Sequence, residues 1–321
     1  MLSALCVPSA LAQSAITQQK DSVAFLFGTV HPKNPDKTPK LGPDGKPIEL
    51  EMPLGTAFFV LYPDQRGGPD YAFAYLVTAK HVLRDFDGTF LRKINVRVNL
   101  KSPKGGSYVD FIKDVPVSDE NGQLLWYHSA NDADEAVAVN CLPKEELVQF
   151  RAIPLAMFVD DTTLKSNEVE EGDNLYFVGL LAQFYGSKKN QAVVRQGTLA
   201  MMTDEEISTP TGTQRVFIAE LQSWPGNSGS PVFLNLGGFR HGGLTTGVNL
   251  RFLGILLGDF VNKIPATVLG GQQVTLGGED AANVGISLIV PASKLREVLE
   301  SKEAQSYRDS SIEKFVKSQK N

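Results

Sequence analysis

Apolar positions in this chain come in short runs set apart by Gly, Pro, Asn and Asp. The runs cover residues 23–30, 55–61, 72–78, 94–100, 136–140, 174–180, 192–199, 216–221, 231–234, 251–257 and 284–290. Short β-rich runs bounded by turn residues read as strands, and this many of them predict an all-β sandwich or barrel. Two excursions interrupt the rhythm. Residues 31–53 carry Pro32, Pro35, Pro39, Pro43, Pro47 and Pro53 with few apolar anchors, which predicts a surface loop or long hairpin tip. Residues 259–283 contain two Gly-Gly pairs and predict a second excursion. After Pro291 the period changes: Leu295, Val298 and Leu299 fall at helical spacing, and Ile312, Phe315 and Val316 repeat it in a second short helix. These stripes read as packing faces.

At 321 residues and 42% hydrophobic content, the chain can bury a large core in one domain or two lobes. The net charge is −5, and no basic patch is interleaved with aromatics, so nucleic acid is not an expected partner. Lys314, Lys317 and Lys320 near the C-terminus read as a solvated helix face. No apolar run reaches membrane-spanning length. Residues 2–12 carry no charge, and Ala10-Leu11-Ala12 has the small-x-small pattern of a signal-peptidase site. The apolar part is short and no basic segment precedes it. Residues 1–12 are therefore read as a signal-peptide remnant, with a periplasmic or secreted bacterial destination expected. Without that segment Cys141 is the single cysteine, no internal disulfide is possible, and the thiol reads as a small buried hydrophobe.

The segment Gly226-Asn227-Ser228-Gly229-Ser230-Pro231 holds a serine in a glycine-framed turn just before an apolar strand. Such a turn presents a hydroxyl together with convergent backbone N–H groups, which is what acyl transfer needs. Upstream, Thr78-Ala79-Lys80-His81 ends an apolar run in a histidine, and Asp132-Ala133-Asp134-Glu135-Ala136-Val137 sets acids before a short strand. Of four histidines (His31, His81, His128 and His241), only His81 closes an apolar run with a Thr-Ala pair ahead of it.

In this order the motifs resemble those of the trypsin-like (chymotrypsin-fold) serine proteases, and more closely the bacterial, disulfide-free branch that includes the DegP-like proteases. The resemblance spans roughly residues 23–300. It implies two antiparallel six-stranded β-barrels with a C-terminal helix. It divides the chain into a lobe over 13–155 carrying His81 and Asp134, a lobe over 156–290 carrying Ser228, and a helical tail over 291–321. It implies a serine endopeptidase in which Ser228 attacks, His81 is general base and acid, and Asp134 orients the imidazole. Asp132 is the rival for the third role, and Asp134 fits the spacing better. The oxyanion hole would be formed by backbone N–H groups of Gly226 and Ser228, with Asn227 between them. Gln222 would lie at the base of the specificity pocket, and the strand through Gly254, Ile255 and Leu256 would form one wall and pair with substrate backbone. Neutral Gln222 argues against a preference for Arg or Lys and for a small or apolar side chain. Partners would be protein or peptide substrates, and no metal or organic cofactor is needed. The oligomeric state is not legible.

Four departures stand out. Glu135 occupies a position where many relatives have an aliphatic residue. Ser230 replaces a common glycine. Neutral Asn227 stands where digestive relatives use an aspartate to grip a newly cut N-terminus, so zymogen activation of that kind is not expected. The tail after residue 300 leaves no room for an appended PDZ-like domain. Triad order argues against an α/β-hydrolase: that class runs Ser, acid, His, and after Ser228 the one histidine is His241 with no acid between them. No His-Glu-x-x-His or paired Cys-x-x-Cys suggests a metallohydrolase. The alternative from another class is a non-catalytic or conditionally active peptide-binding module on the same fold.

Overall fold

The apolar runs form two sheet systems, antiparallel except for the short pairing of residues 153–154, that meet along one aromatic seam. The computed structural model describes residues 15–240, 243–245, 249–259, 264–267, 273–276 and 285–319. The segment 1–12 and most of the excursion 259–283 lie outside the described residues.

The first sheet contains β1 (Val23–Val30), β2 (Leu50–Pro63), β3 (Ala72–Ala79), β4 (Lys93–Lys104), β5 (Ser107–Pro116), β6 (Tyr127–His128), β7 (Ala136–Asn140), β8 (Val148–Gln149) and β9 (Ile153–Pro154). Its hydrogen-bonded order is β5-β4-β1-β2-β3-β7-β6, with β8 on β4 and β9 on β2. The proline-rich excursion is the tip of the β1–β2 hairpin. Val30 pairs with Leu50, and residues 31–49 add two isolated bridges, Lys33 with Pro39 and Leu41 with Pro47.

The second lobe contains β10 (Asn174–Gly179), β11 (Val193–Met202), β14 (Phe217–Glu220), β15 (Pro231–Asn235), β18 (Leu250–Asp259) and β21 (Ile286–Pro291). These strands close into a six-stranded barrel in the order β10-β11-β14-β21-β18-β15. Three small hairpins decorate it: β12 (Ile207–Thr209) with β13 (Gly212–Gln214), β16 (Gly238–Arg240) with β17 (Gly243–Thr245), and β19 (Ile264–Thr267) with β20 (Gln273–Leu276). Closure leaves the barrel no free strand edge to template aggregation. The architecture is all-β and chymotrypsin-like, with a closed barrel in the second lobe and an extended nine-stranded sheet in the first.

The seam between lobes is built on Phe252 of β18. Its ring lies 5.3 Å from Phe58 of β2 and 4.7 Å from Phe158 of the connecting segment. Each such tilted pair adds about 0.5–1.5 kcal/mol beyond area burial. Of the helices, α1 (Ala15–Gln18) and α2 (Asp161–Ser166) are short, while α3 (Ala292–Leu299) and α4 (Lys302–Gln319) form the tail. Helix α3 buries Leu295, Val298 and Leu299 and packs on β7 as well as on the barrel. Helix α4 sends Arg308 to the first sheet, where it donates to the Tyr75 hydroxyl at 3.0 Å, and the same guanidinium donates to the Leu299 carbonyl of α3 at 2.7 Å. Burial pushes the Tyr75 hydroxyl up to about 12 despite that cation. The tail follows the second lobe in sequence yet is clamped to the first.

Candidate active site

The turn bearing Ser228 is held by glycines that other residues could not replace. Gly226 and Gly229 adopt φ of 96° and 84°, in the region that L side chains rarely enter. Asn227, fully buried, braces the turn from inside. Its amide donates to the Leu180 carbonyl, and its Oδ1 accepts from the Trp224 N–H at 2.7 Å. The first lobe grips the same turn through Thr56 of β2. Thr56 N–H donates to the Ser228 carbonyl at 2.9 Å, and its hydroxyl donates to the Gly226 carbonyl at 2.8 Å while accepting from the Leu180 N–H at 2.8 Å. Thr56 was legible only as part of a strand; nothing in its local sequence marks it as the residue that joins the lobes.

His81 sits in the 3-10 turn that follows β3, and the end of β3 packs on the serine turn, where a Cβ on Gly229 would lie 3.2 Å from the Ala79 N–H. Gly55 lies between Val82 and the serine turn: a Cβ there would be 2.8 Å from Val82 Cγ1 and 3.0 Å from the Ser228 carbonyl. The acid on the imidazole is Glu135, not Asp134. Glu135 Oε2 accepts from both the His81 backbone N–H and ring Nδ1, each at 2.8 Å. Glu135 is 1% exposed. Burial alone would push its carboxyl up. The hydrogen bonds and charge of His81, with Lys80 nearby, outweigh that and hold it below the ordinary carboxylate range. Asp134, which the spacing favoured, is equally buried, but its carboxylate oxygens make no hydrogen bond among the described residues. Asp132 contributes its backbone carbonyl, which accepts from Lys80 Nζ. The reason is strand geometry. Successive side chains entering β7 point to opposite faces, and the pairing of Ala79 with Ala136 turns residue 135 toward the histidine.

The Ser228 hydroxyl donates to the Leu257 carbonyl at 2.9 Å. Nε2 of His81 has no hydrogen-bond partner among the described residues. Of the three amides expected to line an oxyanion hole, that of Asn227 is committed to the Trp224 carbonyl at 2.9 Å. The amides of Gly226 and Ser228 donate to no described residue.

The expected substrate strand needs a shift along the chain. Gly254 and Ile255 pair with β15 on one side and β21 on the other. Leu256 pairs with Ile289 and exchanges backbone hydrogen bonds with Gly229 and Ser230. Those backbone groups are occupied, and Gly254 is glycine because a Cβ would meet the Val290 carbonyl at 2.0 Å. A bulge between Leu256 and Gly258 brings the next two residues to the site. Leu257 receives the serine hydroxyl, and a Cβ on Gly258 would lie 3.3 Å from it. Gln222 is exposed and helps line a hollow of about 540 Å³ with Arg195, Thr198, Glu220 and Gly285.

Ser230 is fully buried, and its hydroxyl has no hydrogen-bond partner. Gly179 makes the room, since a Cβ there would lie 2.0 Å from Ser230 Oγ. Ser230→Ala should therefore keep active-site chemistry and stabilise the fold by about 1 kcal/mol, the scale of an unsatisfied buried hydroxyl. Denaturant unfolding monitored alongside active-site labelling checks both. Burial pushes the Cys141 thiol up to about 11, which suits packing and not nucleophilic attack. Among the described residues no group of three His, Cys, Asp or Glu side chains could hold a metal ion.

No family model matches the sequence, and no curated protein matches it. Solved structures of similar fold include the HtrA-type protease AlgW with a decapeptide, at 16% identity and TM-score 0.45, covering 90% of this chain and 66% of that one. The MamO protease domain from Magnetospirillum magneticum, apo form, is 13% identical with TM-score 0.43, covering 88% and 98%. The inactive form of Rv3671c from M. tuberculosis H37Rv is 14% identical with TM-score 0.42, covering 91% of each chain. The chain thus spans just under two thirds of the AlgW chain. These likenesses concern the course of the strands alone.

Proposed function

We propose that the protein is a serine endopeptidase in which Ser228 attacks the scissile carbonyl, His81 moves the proton and Glu135 orients the imidazole. The observation that carries this reading is the double hydrogen bond from His81 to buried Glu135, on a turn whose preceding strand packs on a glycine-framed serine. A carboxylate on Nδ1 fixes the proton there and leaves Nε2 as the acceptor. For attack the Ser228 hydroxyl leaves the Leu257 carbonyl and hands its proton to Nε2. Attack then forms a tetrahedral intermediate whose oxyanion is received by the free N–H groups of Gly226 and Ser228. His81 returns the proton to the leaving amine, and water hydrolyses the acyl-enzyme by the reverse sequence. Peptide substrate adds as a strand beside Leu257 and Gly258, a common mode of peptide recognition.

A histidine paired with an acid is not enough by itself. His31 donates its backbone N–H to Asp85 and holds Nδ1 2.7 Å from the same carboxylate, yet no glycine-framed serine accompanies it among the described residues. The serine turn is what separates His81. The export reading rests on Ala10-Leu11-Ala12; no helix of the described residues is long and apolar enough to cross a membrane.

Fluorophosphonate labelling tests the reading. Wild type is expected to label at Ser228, while Ser228→Ala and His81→Ala are not. Folded wild-type protein that resists labelling and cleaves no member of a peptide library would leave a peptide-binding module in place of an enzyme.

A further inference from the structure

Asp134 is a buried acid that the proposed chemistry does not use. Its side chain is 1% exposed, and neither carboxylate oxygen has a hydrogen-bond partner among the described residues. The cation that faces it is Lys294 of α3, whose Nζ lies 3.8 Å from Oδ2 and 3.1 Å from Glu297. Lys80, a buried lysine nearby, spends its ammonium on the Asp132 carbonyl and its N–H on the Glu135 carbonyl. An anion stripped of water and of hydrogen bonds costs several kcal/mol unless a counter-charge stands close. Lys294 is that counter-charge, and it comes from the tail.

The short segment 131–135 is therefore gripped by parts of the chain distant in sequence. Asn131 donates to the Thr213 carbonyl at 3.3 Å, and the Thr211 hydroxyl donates to the Ala133 carbonyl at 3.4 Å. Lys80 holds it from the histidine side, and Lys294 from the tail. The next side chain along is Glu135.

We propose that Asp134 and Lys294 are positioning residues: Lys294 of the docked tail helix neutralises the buried Asp134 carboxylate, which keeps the 131–135 segment in place and so fixes Glu135 against His81. This rests on the reading of Glu135 as the acid that orients His81. Its consequence is that catalysis depends on tail docking, though no tail residue touches substrate. Lys294→Met strands the Asp134 charge and lets the segment shift. Asp134→Asn in the Lys294→Met background removes the stranded charge and relieves that shift.

The test uses the full chain and two readouts: the fluorophosphonate labelling rate per folded molecule, and the downfield proton resonance of His81 Nδ1–H, assigned by its loss in His81→Ala. Lys294→Met is expected to slow labelling by about tenfold or more, since small misplacements of catalytic groups have large rate costs, and to shift or broaden the ring proton. The double variant should restore both, and Lys294→Arg should match wild type. If Lys294→Met does not fold, Lys294→Gln takes its place, with the same loss in weaker form. Unchanged rate and unchanged resonance in the neutral variant, with only thermal stability lowered, would overturn the proposal. Wild type that never labels sinks the endopeptidase reading instead, and the ring-proton comparison still decides whether Lys294 fixes the pair.

Discussion

Glu135→Gln is expected to lower the rate of Ser228 acylation by about 10⁴, the scale seen when an orienting carboxylate in such a triad becomes an amide. The loss should fall in kcat, with KM little changed, because Glu135 is buried behind His81 and touches no substrate. Two causes act together. The amide cannot stabilise the imidazolium that forms as His81 takes the serine proton, and its NH2 group competes for the tautomer that Nδ1–H must hold. Asp134→Asn, with Lys294 still able to turn toward Glu297, should stay within about tenfold of wild type. The reverse pattern, with a large loss at Asp134 and a small one at Glu135, would return the third role to the residue that motif spacing favoured. A pH arm uses the same variant. The Glu135 carboxyl is held below its ordinary range in the fold, so it stabilises the protein fully above about pH 4.3, the unfolded value. That contribution disappears as pH falls through the lower folded value. Denaturant unfolding followed downward from pH 5 should show a steeper decline in wild type than in Glu135→Gln.

The sequence signalled residues whose roles are set by their immediate neighbours. Strands β1 and β7 are bounded as the apolar runs suggested, because almost every residue in each is buried and the pattern has no gaps. Strand β5 was not predicted. It lies at the edge of its sheet, mostly half-exposed, and Asp110, Lys113 and Asp114 break its apolar pattern. His81 and Ser228 were legible from local turn chemistry, with positive-φ glycines on both sides of the serine. The acid was not, because three acids stand within four residues and only strand pairing decides which faces the ring. The shift from Leu256 to Leu257 was hidden for a related reason: a bulge has no strong residue signature, yet it moves the site-facing carbonyl by one position. Lys294 was unreadable altogether. It stands in an ordinary amphipathic helix, and its partner is defined by how the tail folds back across the lobes.

Gly229→Ala is expected to cost about 4 kcal/mol and to lose labelling together with stability, through strain and overpacking combined. A Cβ at this position would lie 2.1 Å from the Thr56 carbonyl oxygen and 2.3 Å from the Thr78 hydroxyl. Neither can retreat freely. The Thr78 hydroxyl donates to that same carbonyl at 2.7 Å, and the Thr56 N–H is spent on Ser228. The φ of 84° adds backbone strain of about 1–3 kcal/mol to an overpacking cost of similar size. Relief requires the serine turn to draw away from β2 and β3, which separates Ser228 from His81 and opens the joint between lobes. A comparison isolates the crowding: Gly45 has φ of 76° but nothing within 4 Å of an added methyl, so Gly45→Ala should cost only about 1 kcal/mol and leave labelling intact. Thermal unfolding with labelling at a temperature where both variants are folded distinguishes the cases. Equal losses at the two glycines would mean that the seam is slack, and that the serine turn keeps its place without the first lobe's grip.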